Sequence, residues 1–279
     1  MSSERPKPYV GVSGVVNSEQ QAMLREFSPM FHGIGRQLAL GVKAVYKTQW
    51  LDTVNKFGSD WYPMGEEIRG CLVADREDEL RVAQVFFDQD TARQEHGNDY
   101  ERRFIEKLLG RTGTMFNALQ FDLLPWDSRG YTDLFSGIRA ARPDMKIIVQ
   151  AHKWQMQQHE PPELVRRLNL YAFPNRDRLI DYVLFDASHG TETRMDIEEL
   201  SRFVEAAYRE TNFGIGVAGG LSAEVVEHDL PRLLKYHPDL SFDAEGQLHL
   251  NENPRDKSLN VAATKGYLAA AKKAIEEAS

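Results

Sequence analysis

Eight short apolar runs alternate with amphipathic segments along nearly the whole chain, and no other feature of the sequence narrows the fold so far. The runs are Tyr9 to Val16, Leu38 to Tyr46, Leu80 to Asp88, Phe116 to Leu124, Lys146 to Lys153, Asp181 to Ser188, Phe213 to Leu221 and Asp239 to Gly246. The first seven are short and rich in apolar residues, as expected of strands buried on both faces by covering helices, and the eighth is shorter and more polar. The intervening segments carry helical spacing: Leu24, Phe27, Phe31 and Ile34 fall on one face after the first run, and Ile197, Leu200, Phe203 and Val204 on one face after the sixth. Ser18 followed by Gln21 predicts a capping box, Thr132 an N-cap for the helix ending before Pro143, and Asp196 the start of another helix. A helix is also expected from near Pro63, one from about Asp99 to Leu109, one from about Pro162 to Tyr171, and one closing the chain. Eight strands with helices between them, in 279 residues, predict a single-domain (β/α)₈ barrel spanning residues 1–279; an open doubly wound sheet suits five or six strands better.

Composition bounds the function. A formal charge of −8 argues against a general nucleic-acid or anionic-membrane surface, and Cys71, the single cysteine, excludes an intrachain disulfide and a cysteine-rich metal site. No apolar run approaches the length of a membrane span, and the N-terminus lacks a signal peptide's apolar core. The expectation is a cytoplasmic protein acting on a small molecule, with no nucleic-acid or membrane partner; a homo-oligomer is compatible with the sequence, and no cofactor is assigned.

In a barrel of this kind the chemistry gathers at the carboxyl ends of the strands. Those positions hold Ser13, Lys43, Asp88 and Asp90, Gln120 and Asp122, His152 and Lys153, Asp186 and Ser188, Gly219 and Gly220, and Ser241 and Asp243. At least the strands ending near Ser13, Asp88, Asp122, His152, Asp186 and Gly219 are expected to open on one face. Asp186 ends the apolar run YVLFD, where partial desolvation suits a general base. Gly219 and Gly220 allow close approach to the backbone, and the amides after Ser222 face whatever binds there, which favours an anion; a turn that binds nothing fits the same residues. Lys153 or Lys43 would serve a Schiff-base reaction instead. A divalent metal held by His152, His189 and the carboxylates is a further alternative on ligand type, though no spacing assigns it. Trp50 and Trp61 lie in a long segment after the second run, where they either line a pocket or pack the loop down.

With the strands in order, the chain resembles phosphoribosylanthranilate isomerase, the tryptophan-pathway member of the ribulose-phosphate-binding barrels. VLFDAS followed by GTET resembles that family's sixth strand, VAGGLSAEVV its phosphate loop after strand 7, and ALQFD its Val-Gln-Leu-His motif, with Gln120 kept and Asp122 in the histidine's place. The resemblance implies an aldose-to-ketose isomerisation with Asp186 as base. The family's strand 1 cysteine, the acid, is replaced by Ser13, and the lysine two residues earlier by Gly11. Its strand 8 phosphate loop becomes Ser241-Phe242-Asp243 with Glu245 behind, and the arginine after strand 2 is missing, Lys47 being the nearest basic residue.

The resulting expectation is an acid/base isomerase for a sugar-derived or phosphorylated small molecule, with Asp186 as base and Ser13, Asp122 or Lys153 as acid. Ligand contacts are expected from Gly219, Gly220, Ser222, Ser241, Gln120, Lys43, His152 and Ser188. A thiol at position 13 is expected to raise activity. The alternatives are a lyase or aldolase using Lys153 or a metal held by His152, and a ligand-binding barrel without catalysis.

Overall fold

A computed structural model describes residues 4–53, 61–73, 78–87, 97, 99–122, 130–172, 179–187, 196–250 and 258–278. Eight strands close into a barrel in sequence order: β1 (Tyr9–Ser13), β2 (Gln37–Val45), β3 (Glu79–Phe86), β4 (Ala118–Phe121), β5 (Lys146–His152), β6 (Tyr182–Asp186), β7 (Gly214–Ala218) and β8 (Ser241–Ala244). Every neighbouring pair is parallel, and β8 closes on β1 through Val10↔Phe242 and Gly11↔Asp243. The fold is a (β/α)₈, or TIM, barrel.

Strand side chains alternate between two faces, and this period of two builds both layers of the core. Residues such as Val10, Val12, Val183 and Phe185 point outward and pack under helices that include Tyr100–Thr112, Ile197–Glu210 and Val261–Ala278. Their partners on the other face fill the lumen: Tyr9, Ala39, Leu80, Val82, Ala118, Ile148, Tyr182 and Leu184 form one apolar cluster. Toward the carboxyl end the same inward series turns polar. Tyr182-Leu184 leads to Asp186, Ile148 to Gln150 and His152, and Leu80-Val82 to Gln84. In β3, β4, β5 and β6 an apolar floor beneath a polar mouth is thereby written into alternate residues.

Several local features differ from the sequence reading. Asn17, not Ser18, caps the first helix (Ser18–Arg25), because its side chain accepts from Gln20 N while Gln20 Oε1 accepts from Val16 N. That face continues in a separate helix, Ser28–Gly33, with Pro29 in its first turn. Thr132 stands inside the helix Gly130–Ala141, and among the described residues after Pro63 a 3₁₀ segment, Gly65–Gly70, stands where a helix is expected. Asp196 does cap its helix, accepting from Glu198 N and Glu199 N.

Candidate active site

The polar ends of the strands enclose a cavity of about 400 Å³ whose lining includes Lys43, Gln84, Gln120, Asp122, Gln150, His152, Asp186, Gly219, Gly220, Asp243 and Glu245. This volume suits a small molecule. Asp122, His152 and Asp186 come from β4, β5 and β6, with His152 between the other two. Its Nε2 hydrogen-bonds Asp122 Oδ1 and its Nδ1 lies 3.7 Å from Asp186 Oδ2. Burial opposes charging of the imidazole, but the hydrogen bond and charge of Asp122, with the charge of Asp186, outweigh it and raise the His152 pKa above its ordinary value.

The same Asp186 oxygen, Oδ2, is also held by an amide relay. Gln120 Nε2 donates to Gln150 Oε1 at 2.8 Å, and Gln150 Nε2 donates to Asp186 Oδ2 at 2.9 Å. Gln150 thus links the two strands, accepting from Gln120 through Oε1 and donating to Asp186 through Nε2.

A second network lies across β7 from Asp186, where Ala218 pairs with both Asp186 and Asp243. Ser13 Oγ donates to the Asp243 carboxyl at 2.9 to 3.0 Å, and Gln84 Nε2 donates to Ser13 Oγ at 2.8 Å. Asp243 is pushed up to about 7 chiefly by burial; the Ser13 hydrogen bond opposes this, and the charges of Glu245 and Asp186 add to it. The space for this carboxyl exists because residue 11 is glycine: a Cβ there would collide with Asp243. Gly11 and Asp243 are therefore sterically complementary.

Over the mouth, Lys43 Nζ lies 4.1 Å from the centre of the Trp61 ring and is ion-paired with Glu245. Burial lowers the Lys43 pKa, opposed by the charge and hydrogen bond of Glu245 and by Asp122. Trp61 also stacks on His249 at 4.9 Å, and His249 Nε2 hydrogen-bonds Ser13 O at 3.1 Å. The two loop tryptophans have different roles. Trp61 lines the cavity, whereas Trp50 packs on Tyr46 and under Lys107 and Arg103.

The site thus gathers Asp186, Asp122, His152, Gln120, Lys43, Gly219 and Gly220. Gly219 and Gly220 have φ of 104° and 66°, the left-handed region that glycine tolerates, and so can turn the backbone sharply at the end of β7.

Four expected contributors stand elsewhere. Lys153 is the first residue of the helix Lys153–Gln158, one position past inward-facing His152, and does not line the cavity. Ser13 lies in the wall, 1% exposed, with its proton directed to Asp243. Ser241 begins β8 and accepts from Tyr9 N, far from the carboxyl end; Ser222 caps the short helix Ala223–His228 by accepting from Val225 N. Ser188, Asp88, Asp90 and His189 lie outside the described residues. Among the described residues no group of three or more side chains is placed to hold a metal ion, and no helix is long and apolar enough to cross a membrane.

Gln84, Gln150 and Asp243 are the contributors that strand-end reading underweighted. The available signal was a polar residue inside each apolar run, in AQVF, IVQAH and LSFDA, on the inward parity.

No family model and no curated protein matches the chain. Solved structures do. The chain is similar to a fungal endo-β-N-acetylglucosaminidase of glycosyl hydrolase family 18, at 12% identity and a TM-score of 0.57 over 97% of each chain. It is similar to tryptophan synthase subunit alpha from Legionella pneumophila, at 12% identity and a TM-score of 0.56 over 97% of this chain and 93% of that one. Phospho-2-dehydro-3-deoxyheptonate aldolase from Thermotoga maritima gives 13% identity and a TM-score of 0.51, over 97% of this chain and 69% of that one. At such identities the likeness is one of fold.

Proposed function

We propose that this chain is an enzyme that moves protons on a small hydroxyl-rich molecule, an isomerase of the aldose–ketose type, with Asp186 as base and Asp243 as acid. The observation that carries the reading is the contrast between two carboxyls in one cavity. Asp186 accepts from Gln150 Nε2 at 2.9 Å and stands 3.7 Å from the His152 ring nitrogen Nδ1. Asp243 is buried against a hydroxyl and pushed up to about 7, which places its titration near neutral pH. Carboxyls whose surroundings differ in this way divide into a proton acceptor and a proton donor.

The acid assignment departs from the one the family resemblance implies. An alkanol is a poor proton donor at neutral pH, whereas a carboxylic acid near 7 is well matched to the task. Asp243, touching Ser13, brings that acidity to the side of the barrel where the family's strand 1 cysteine stands. The phosphate function is not carried over with it: Glu245 stands in the strand 8 region, and its carboxylate repels a phosphate dianion.

The test is proton exchange. Aldoses and aminoaldoses, phosphoribosylanthranilate among them, are incubated with the protein in D₂O and followed by NMR for deuterium at the carbon beside the carbonyl. Exchange that disappears in Asp186→Asn and in Asp243→Asn is expected; exchange that survives Asp186→Asn sinks the reading.

A second reading rests on Lys43, a cavity lysine whose pKa burial lowers, as a Schiff-base nucleophile would require. Borohydride trapping of a carbonyl substrate on Lys43 would favour it. Its ion pair with Glu245 stabilises the charged ammonium and weighs on the other side.

A further inference from the structure

Gln84 and Ser13 stand on strands that are not neighbours. Gln84 belongs to β3 and Ser13 to β1, with β2 between them in the barrel, yet Gln84 Nε2 donates to Ser13 Oγ at 2.8 Å. The residue that β2 places on the way is a glycine. Gly41 pairs with Ser13 on one side and with Val82 on the other, and a Cβ at position 41 would lie 2.6 Å from Ser13 Oγ and 3.2 Å from the Gln84 amide carbon. Gly11 leaves the corresponding space for Asp243. Two glycines on adjacent strands thus clear the way for a chain of three side chains that runs from β3 over β2 to β1 and on to β8.

The chain has a direction. An amide nitrogen only donates, and a hydroxyl has a single proton. With Gln84 Nε2 donating into Ser13 Oγ, the Ser13 proton is left for Asp243, whose carboxyl oxygens lie at 2.9 and 3.0 Å. With Asp243 ionised, turning the amide over would set two acceptors against that one proton. Donation into the hydroxyl oxygen also polarises its O–H and strengthens the bond it makes onward, most of all where the final acceptor is charged.

From this geometry we infer that Gln84 is a positioning residue for Asp243, holding the Ser13 proton on the Asp243 carboxyl and acting on that carboxyl through Ser13. Its catalytic meaning rests on the assignment of Asp243 as the acid; its test does not. The ionisable groups that bear on Asp243 include Glu245 just past β8, Asp186 on β6, Tyr9 on β1 and Tyr267 on the helix Val261–Ala278, with Lys43 paired to Glu245. None of these is on β3, so a neutral substitution at position 84 alters no charge beside Asp243.

The test is the titration of Asp243 itself, followed by carbon-13 NMR of protein labelled at its aspartate carboxyls, with the Asp243 signal identified by its loss in Asp243→Asn. Ser13→Ala is expected to move the Asp243 midpoint upward by about 1–2 pH units, the worth of a hydrogen bond to a charged group. Gln84→Met, a neutral change of similar shape, is expected to move it upward by roughly 0.3–0.5 of a pH unit, the share that polarisation by a neighbouring bond adds. In the Ser13→Ala background Gln84→Met is expected to add nothing, because the group through which it acts is gone. Gln84→Asn, one methylene shorter, breaks the same contact and serves where the methionine variant does not fold. An unmoved midpoint in the Gln84 variants overturns the inference. So does a shift of equal size with and without the Ser13 hydroxyl, which would make Gln84 a packing residue. Proton exchange missing from the wild-type protein while this titration pattern holds would instead sink the reaction assignment and leave the relay standing.

Discussion

The hydroxyl of Ser13 lies 2.9 Å from Oδ2 of Asp243 and accepts in turn from Gln84 Nε2 at 2.8 Å. Ser13 is thus committed within the wall, donor and acceptor both used, and the group its proton faces is the one that meets the cavity. The carboxyl that Ser13 supports stands on the neighbouring strand β8, over Gly11, and lines the cavity.

Activity that needs the Asp243 proton is expected to fall as pH rises through about 7. The Ser13 hydrogen bond lowers the Asp243 pKa, so Ser13→Ala should move that alkaline limb to higher pH. Ser13→Cys should bring no gain, contrary to the expectation from the family pattern, because the donor is the carboxyl. A pH–rate series on the three proteins decides; a limb unmoved in Ser13→Ala would remove Asp243 from the role.

The same carboxyl has a measurable cost to the fold. Its folded-state pKa is raised, so between about 4 and 7 the folded chain keeps a proton that the unfolded chain has lost, and stability declines as pH rises across that window. Asp243→Asn imitates the protonated form and should escape the decline. Each pKa unit corresponds to about 1.4 kcal/mol, so the gain at pH 8 is at most roughly 4 kcal/mol and vanishes near pH 4. Urea unfolding at both pH values measures it; equal stability of the two proteins at pH 8 would show that Asp243 is ionised there at little cost.

The barrel was legible because the alternation of apolar run and amphipathic segment repeats eight times, and repetition averages out errors at individual boundaries. Asp122, His152 and Asp186 were legible for a related reason: each terminates an apolar strand on the inward parity, and parallel register carries such residues to one end. The partnerships were not. Asp243 over Gly11, or His249 under Trp61, join segments remote in sequence through packing that no local pattern encodes. Lys153 was misplaced by one residue, and in a strand one residue exchanges the lumen for the outside. Asn17 displaced Ser18 as the cap for a similarly local reason, since adjacent residues both have capping side chains and only the chain's entry angle selects between them.

Asp186→Asn is expected to lower the rate about 10²- to 10⁴-fold, the usual contribution of a positioned base. Gln150→Leu tests whether the amide relay positions that base. It strips Asp186 of its 2.9 Å donor and leaves Gln120 Nε2 without its acceptor, while removing no reacting group. A fall in kcat with KM little changed is expected, together with a stability loss of about 1–3 kcal/mol from the stranded amide. Gln120→Leu, which touches only the far end of the relay, should have a smaller effect on kcat. Equal losses in the two variants, tracking their stability, would reduce the relay to ordinary packing.

The two loop tryptophans provide the sharpest separation of binding from packing. Trp61 is half-buried against Lys43, Tyr62 and His249 at the cavity, while Trp50 is fastened to the outer helix by Lys107, whose Nζ donates to Trp50 O at 2.9 Å. Trp61→Ala removes a wall of the cavity and the aromatic cover of Lys43, a contact worth about 0.5–2 kcal/mol where it is desolvated. Ligand affinity should fall by roughly that equivalent, about 3- to 30-fold, with the ligand-dependent fluorescence change lost. Trp50→Ala should leave affinity and the fluorescence change in place and lower thermal stability, since a partly buried aromatic contributes about half of the 3–5 kcal/mol seen on truncating a fully buried one. For a chain of this size about 2 kcal/mol corresponds to roughly 4–8 °C in Tm. The crossed pattern is the test: if Trp50→Ala weakens binding as much as Trp61→Ala does, the segment after β2 acts as one unit and Trp61 has no direct part in recognition.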